Sequence, residues 1–197
     1  MKHFCSVLGF AKFLCFIGFV VANPAHAGGL FLPGIMYRSD AIQQDTIKAG
    51  SSRLDLNLTG GILVSPEFLF GLKYLSLTTT VAGEVATLTS QSVSEIYGIG
   101  LSAGYVAREG LTFLATYFLN PEKKTTDSTG DTTWVGKNCI SLDIGLQFKV
   151  KSIGFGPLVS YIKYAYDKQE TALGTTELFG TYEDTLIAPQ FALWFRM

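Results

Sequence analysis

The chain has 197 residues, 15 basic and 16 acidic side chains, and a composition that is 48% hydrophobic but only 16% charged. That length fits a single domain, and the balanced charge leaves no basic footprint for nucleic acid. Beyond the first segment no apolar run approaches the ~20 residues of a spanning helix, so the apolar residues must be spread by alternation, as strands of a membrane barrel spread them.

The first 27 residues have the three parts of a secretory leader. Lys2 and Lys12 are basic, the run Phe13 to Ala22 is apolar, and Ala25-His26-Ala27 places small residues where a signal peptidase reads them. Cleavage is expected after Ala27. A retained anchor is the alternative, but Lys12 interrupts the run and shortens it below spanning length. Removal of the leader takes Cys5 and Cys15, leaving Cys139 with no disulfide partner, and takes His3 and His26, leaving no histidine. It also lowers the 15 basic residues by two, to 13 against 16 acidic, a net charge of −3.

Residues 28–197 then read as strands with no helical period. The first, Leu30 to Ile42, sets Ile35, Tyr37 and Ala41 against Gly34, Met36, Arg38 and Asp40. In the second, Leu54, Leu56 and Leu58 alternate with Arg53, Asp55, Asn57 and Thr59. The turn Ser65-Pro66-Glu67 leads to a third, with Phe68, Phe70, Leu72 and Tyr74 on one side and Gly71 and Lys73 on the other. The fourth, Ser92 to Val106, opposes Tyr97, Ile99, Leu101, Ala103 and Tyr105 to small residues. Ala107 to Gly110 turns the chain into Leu111, Phe113, Ala115, Tyr117 and Leu119. The sixth strand alternates most regularly: Ile140, Leu142, Ile144, Leu146, Phe148 and Val150 against Ser141, Asp143, Gly145, Gln147 and Lys149. After Lys151-Ser152 comes the seventh, Ile153 to Asp167. Its phase conflicts, since Lys163 and Asp167 want one side while Gly154 and Gly156 look interior on the other parity, and a bulge would reconcile them. The last runs from about Thr181 to Met197.

The expected fold is therefore all-β: an eight-stranded antiparallel up-and-down transmembrane barrel following an N-terminal signal peptide. The connections alternate in length. Long, polar, solvated loops are expected at Gln43–Ser51, Thr79–Gln91, Pro121–Thr132 and Lys168–Gly180, and short turns between them. Short periplasmic turns and longer outer loops mark membrane barrels. A secreted lipocalin-type barrel shares the alternation turned inside out, but its water-facing surface would be dense in Lys and Glu. Here the less apolar face carries Gly98, Gly100, Ser102, Gly104, Ser141, Gly145 and Gln147, which suits a crowded interior. Tyr37, Tyr74, Tyr105, Tyr117, Trp134, Tyr161, Tyr166 and Trp194 are expected in aromatic girdles.

Arg38, Asp40, Arg53, Asp55, Lys73, Asp143 and Lys149 are the expected interior ion pairs, because a buried charge must find a partner. An eight-stranded barrel is just wide enough for its own side chains, so a wide pore is not expected; a narrow ionic path through Asp143 is the alternative. A lipid-modifying barrel enzyme, hydrolase or acyltransferase, is the lesser alternative, but no Ser-His-Asp arrangement can be built without histidine, so no enzyme activity, cofactor or metal is expected. Asp127 and Asp131 lack the spacing and final Glu of an EF-hand and read as a solvated loop. Cys139 reads as a small unpaired residue near the rim. Tyr161, Tyr164, Tyr166 and Tyr182 read as girdle or barrel packing in preference to a ligand groove.

The terminal segment Ile187 to Met197 puts Phe191, Leu193, Phe195 and Met197 on one face, and Gln190, Ala192, Trp194 and Arg196 on the other. With its strand pattern and alternating loops, the chain resembles the small outer-membrane barrels of the OmpA-like and OmpX-like type over the whole segment 28–197. Gln190, Ala192, Phe195 and Met197 fit the register of that superfamily's C-terminal assembly signal, with Ala192 in place of the usual Gly and Met197 in place of the usual terminal aromatic. The resemblance implies insertion by the barrel-assembly machinery into the outer membrane of a Gram-negative bacterium, as a monomer among lipid and lipopolysaccharide. It also implies a surface role carried by the outer loops, in adhesion, binding or envelope integrity.

Overall fold

The computed structural model describes residues 28–44, 47–85, 88–128, 130–150 and 153–197. The expected leader, 1–27, and the turn Lys151–Ser152 lie outside them. Among the described residues there are eight strands: β1 (Gly28–Gln44), β2 (Ile47–Ser65), β3 (Phe68–Val85), β4 (Leu88–Val106), β5 (Gly110–Asp127), β6 (Gly130–Val150), β7 (Ile153–Thr171) and β8 (Gly174–Arg196). Each pairs antiparallel with the next, and β8 returns to β1, closing a barrel.

The period-2 pattern sorts residues between the two surfaces. Phe70, Ile99, Phe113, Ile144, Phe155 and Phe191 point outward and are exposed, while their neighbours in sequence are buried in the lumen. In β7 the glycine parity prevails: Gly154, Gly156, Leu158, Ser160, Ile162, Tyr164 and Tyr166 all face in. Lys163 faces out and meets Glu183 at 2.8 Å. β7 bulges at Asp167 against β6, where Val135 pairs with Lys168 and Gly136 with Tyr166. Against β8 the extra residues are on β8, where 178–181 stand opposite Asp167.

The expected long loops need correction. Within all four segments the strands continue as paired hairpins, for example Thr79↔Ser94 through Val85↔Leu88 between β3 and β4. Polar composition suggested loops, but Thr and Val fit a pleated surface well, and cross-strand pairing satisfies backbone groups that a loop would leave to water. The strands are consequently 17 to 23 residues long, about twice the 9–11 residues that cross a bilayer. The apolar outward positions occupy only the half of each strand nearest the short turns. The other half is outwardly polar and extends the wall beyond that belt.

The lumen is filled in three layers. Nearest the short turns lie Leu30, Leu32, Leu63, Leu69, Leu114 and Trp194 with their neighbours. Inward-facing polar residues follow, including Asp55, Asn57, Lys73, Thr116, Ser141 and Asp143. Beyond them lie Leu75, Leu77, Phe118, Cys139, Ile162, Tyr164 and Tyr166. One strand shows the order plainly: β3 presents Leu69, then Lys73, then Leu75 and Leu77. Close wall packing needs glycine at one cross-strand pair, Gly61↔Gly71; a Cβ on either would meet the other's Cα at 2.6 Å.

Candidate functional site: the lumen and the seam

Lys73 and Asp143 form the centre of the polar layer. The ammonium of Lys73 donates to both carboxylate oxygens of Asp143, each at 2.7 Å, and to Ser141 Oγ at 2.9 Å. Those three contacts match the three N–H groups of a lysine. Ser141 Oγ in turn donates to Asp143 Oδ1 at 2.9 Å, and the ammonium lies 5.9 Å from the centre of the Phe118 ring. Such a pair repays the desolvation of two ions only when its hydrogen bonds are complete. Nearby, Arg53 grips Asp55 in two parallel bonds of 2.6 Å each, the bidentate geometry that makes arginine–carboxylate contacts strong.

The remaining expected interior charges lie elsewhere. Arg38 and Asp40 pair at 2.7 Å but are 68% and 50% exposed. Their parity is that of the buried Leu30 and Leu32, so the pattern was read correctly. At their height β1 pairs on one side only, with β2, and its inward face lies open. Lys149 also has inward parity, yet it sits exposed at the short-turn mouth, where it lines a cup of about 530 Å³ with Arg108, Arg196 and Gln147. None of the three joins the central network.

Three other assignments change. Cys139 is wholly buried against the outer apolar layer instead of lying near the rim, because β6 runs well past it. Tyr166 and Trp194 are interior, not girdle, residues: Trp194 Nε1 donates to Thr112 Oγ1 across the lumen at 3.1 Å. Tyr164 and Tyr166 stack inside with ring centres 6.1 Å apart. Tyr161 is exposed on the outer surface, whereas Tyr182, cross-strand from Tyr166, lies on the inner face, exposed, with its ring 5.5 Å from that of Trp134. Asp131 lies 2.9 Å from Lys124.

The terminal strand closes the wall against β1. Gly29 and Met197 exchange both backbone hydrogen bonds, at 3.0 and 2.9 Å. Pairing continues through Leu30↔Arg196, Phe31↔Phe195, Gly34↔Ala192 and Ile35↔Phe191, and among the described residues it ends there. Of the expected assembly residues, Gln190 and Ala192 face the lumen, and Phe195 and Met197 face out. Arg196 ties this strand to two turns, donating to the carbonyls of Pro66, of Val106 at 2.8 Å and of Ala107 at 3.2 Å.

Two prolines explain where the seam thins. In an antiparallel pair, doubly bonded partners recur at every second residue. Counting from Gly29↔Met197, the doubly bonded positions fall at Phe31, Pro33, Ile35 and Tyr37 of β1, opposite Phe195, Leu193, Phe191 and Pro189 of β8. Both Pro33 and Pro189 therefore aim a nitrogen without hydrogen at the seam. Pairing skips Leu32 and Pro33 and stops just before Pro189.

Sequence reasoning missed Ser141 as a partner of Lys73, and it missed Pro33 and Pro189. The prolines were visible, but only the closing register shows which neighbour each deprives of a donor. No family model matches the chain, and no curated protein matches it.

Proposed function

We propose that the chain is a bacterial outer-membrane barrel of the OmpA-like kind, delivered by a cleaved leader, with a plugged lumen and a surface role carried by its outer hairpins. The observation that carries this reading is the outward belt. Phe68, Phe70, Ile99, Phe113, Ile144, Phe148, Phe155 and Phe191 are all exposed, in a closed wall whose buried side is the more polar one. Contiguous exposed apolar patches beyond a few hundred Å² are rare on soluble monomers. In lipid such a belt is solvated, and the closure of β8 on β1 from Gly29↔Met197 to Ile35↔Phe191 pairs both strand edges through the lower part of the belt. The polar halves of the strands would then stand above the outer leaflet as paired hairpins, where a partner can reach them.

The packed lumen favours this over a through channel, since its three layers contain residues with no accessible surface. Planar-bilayer recording is expected to give no stable conductance. The decisive test is fractionation of cells expressing the full chain, with heat-modifiable gel migration of the recovered protein. A protein soluble without detergent would sink the proposal. Shortening the Lys123–Asp131 hairpin should abolish any surface binding and leave migration unchanged.

A further inference from the structure

Beyond Ile35 and Phe191 the two seam strands part company. From Met36 to Gln44, β1 pairs only with β2, and from Gly174 to Gln190, β8 pairs only with β7, among the described residues. Exposure changes at the same place. Leu30 and Leu32 are 1% and 0% exposed, whereas Arg38 and Asp40, on the same face of the same strand, lie open. The unpaired stretch of the seam therefore leaves the β1 edge open, while Ala188 and Gln190 on the β8 edge stay buried. It begins at the upper part of the apolar belt, where Ile35, Tyr37, Ile187 and Phe191 are exposed on its outer lips.

The material just inside is apolar with a few unsatisfied polar atoms. Leu186 and the wholly buried Ala188 line the β8 side. Gln190, which would oppose Met36 if pairing went one step further, is buried with neither amide atom hydrogen-bonded, and the Tyr164 and Tyr166 hydroxyls behind β8 are likewise buried without partners. Gly34 provides room for this glutamine, since a Cβ there would meet Gln190 Oε1 at 2.6 Å. A buried polar group without a partner is costly, so these donors mark a place for an acceptor.

We propose that the gap between the outer halves of β1 and β8 is a lateral groove for one acyl chain of an outer-leaflet lipid. Its ester carbonyl would accept from Gln190 Nε2 or a tyrosine hydroxyl, and its polar end would lie beside the Arg38–Asp40 pair. A lipid chain is the occupant that fits, because the groove opens sideways from the belt and not from the end of the barrel, and its lips are apolar. The proposal rests on the membrane reading above.

The test uses the full barrel with Cys139→Ser, folded into phosphatidylethanolamine and phosphatidylglycerol vesicles containing a phosphatidylglycerol with a photoreactive acyl chain. Labelled positions are mapped by mass spectrometry. Labelling is expected to concentrate on Met36 and Leu186. Adding Arg38→Cys with Ala188→Cys, which face each other if pairing continues, should abolish that labelling under oxidising conditions and restore it on reduction, with labelling of Phe113 and Ile144 unchanged. Leu186→Arg, which needs no disulfide, should lower labelling at Met36 severalfold. Uniform labelling around the belt, or labelling at Met36 indifferent to both the lock and Leu186→Arg, overturns the groove and leaves the membrane reading intact. A barrel that does not enter vesicles overturns both.

Discussion

Lys73 Nζ lies 2.7 Å from each carboxylate oxygen of Asp143, a residue 70 positions away, and the two are 0% and 1% exposed in the centre of the lumen. The contact joins β3 to β6 across the barrel, so it braces the wall from inside as well as satisfying both charges.

Removing one partner should be worse than removing both. Lys73→Met or Asp143→Leu alone leaves a buried ion uncompensated and is expected to lower stability by about 3–5 kcal/mol, while the double substitution should recover much of the loss. Urea unfolding of the four barrels in lipid, arranged as a double-mutant cycle, measures this. Additive losses would show that the pair is not coupled.

Unpaired seam amides should betray the opening. The backbone parity that aims Pro189 at β1 also aims the N–H groups of Ile187 and Thr185 into the gap, where no pairing with β1 occurs. Hydrogen exchange in micelles is expected to be fast at these two and slow at Phe191 and Phe195, which lie in the paired stretch. Equal protection at all four would mean that the seam closes fully in solution.

The wall tolerates no side chain where Gly61 meets Gly71. Gly71→Val is expected to cost about 1–3 kcal/mol through overpacking, read as a lower midpoint of heat-modifiable migration. The exposed Val64→Thr, on the same hairpin, should change little.

Arg196 binds the last strand to the turns at Pro66 and Val106–Ala107. Arg196→Met keeps much of the stem but removes the donors, leaving three carbonyls to find other partners. A destabilisation of about 1–3 kcal/mol follows from lost hydrogen bonds to a charged group. It should show in unfolding and as slower folding into vesicles; an unchanged barrel would make Arg196 an ordinary rim residue.

Much of the wall was legible from the order of residues. The alternation Ile140 to Val150 assigned its own faces, and the turns Ser65–Glu67 and Ala107–Gly110 lie where Gly, Pro and polar residues interrupt it. The terminal segment likewise showed which of Gln190, Phe191, Ala192 and Trp194 face in. The limits of the strands were harder to read, because the Thr-rich stretches beyond the belt serve equally as loop or as paired strand until a partner strand is present.

The charges divide most clearly. Arg38, Asp40, Lys73, Asp143 and Lys149 all carry inward parity, and parity is a local property that a period of 2 reveals. Whether an inward position is enclosed depends on the neighbouring wall. Lys73 and Asp143 meet because closure brings β3 and β6 across the lumen at one height. Arg38 and Asp40 stay open because the missing donor of Pro189 ends the seam beneath them, and Lys149 stays open because the lumen ends at its mouth. Sequence by itself determined which way each side chain points, since that follows from the pleat. Only the tertiary structure decided what each meets there, since that follows from how the sheet curves, staggers and closes.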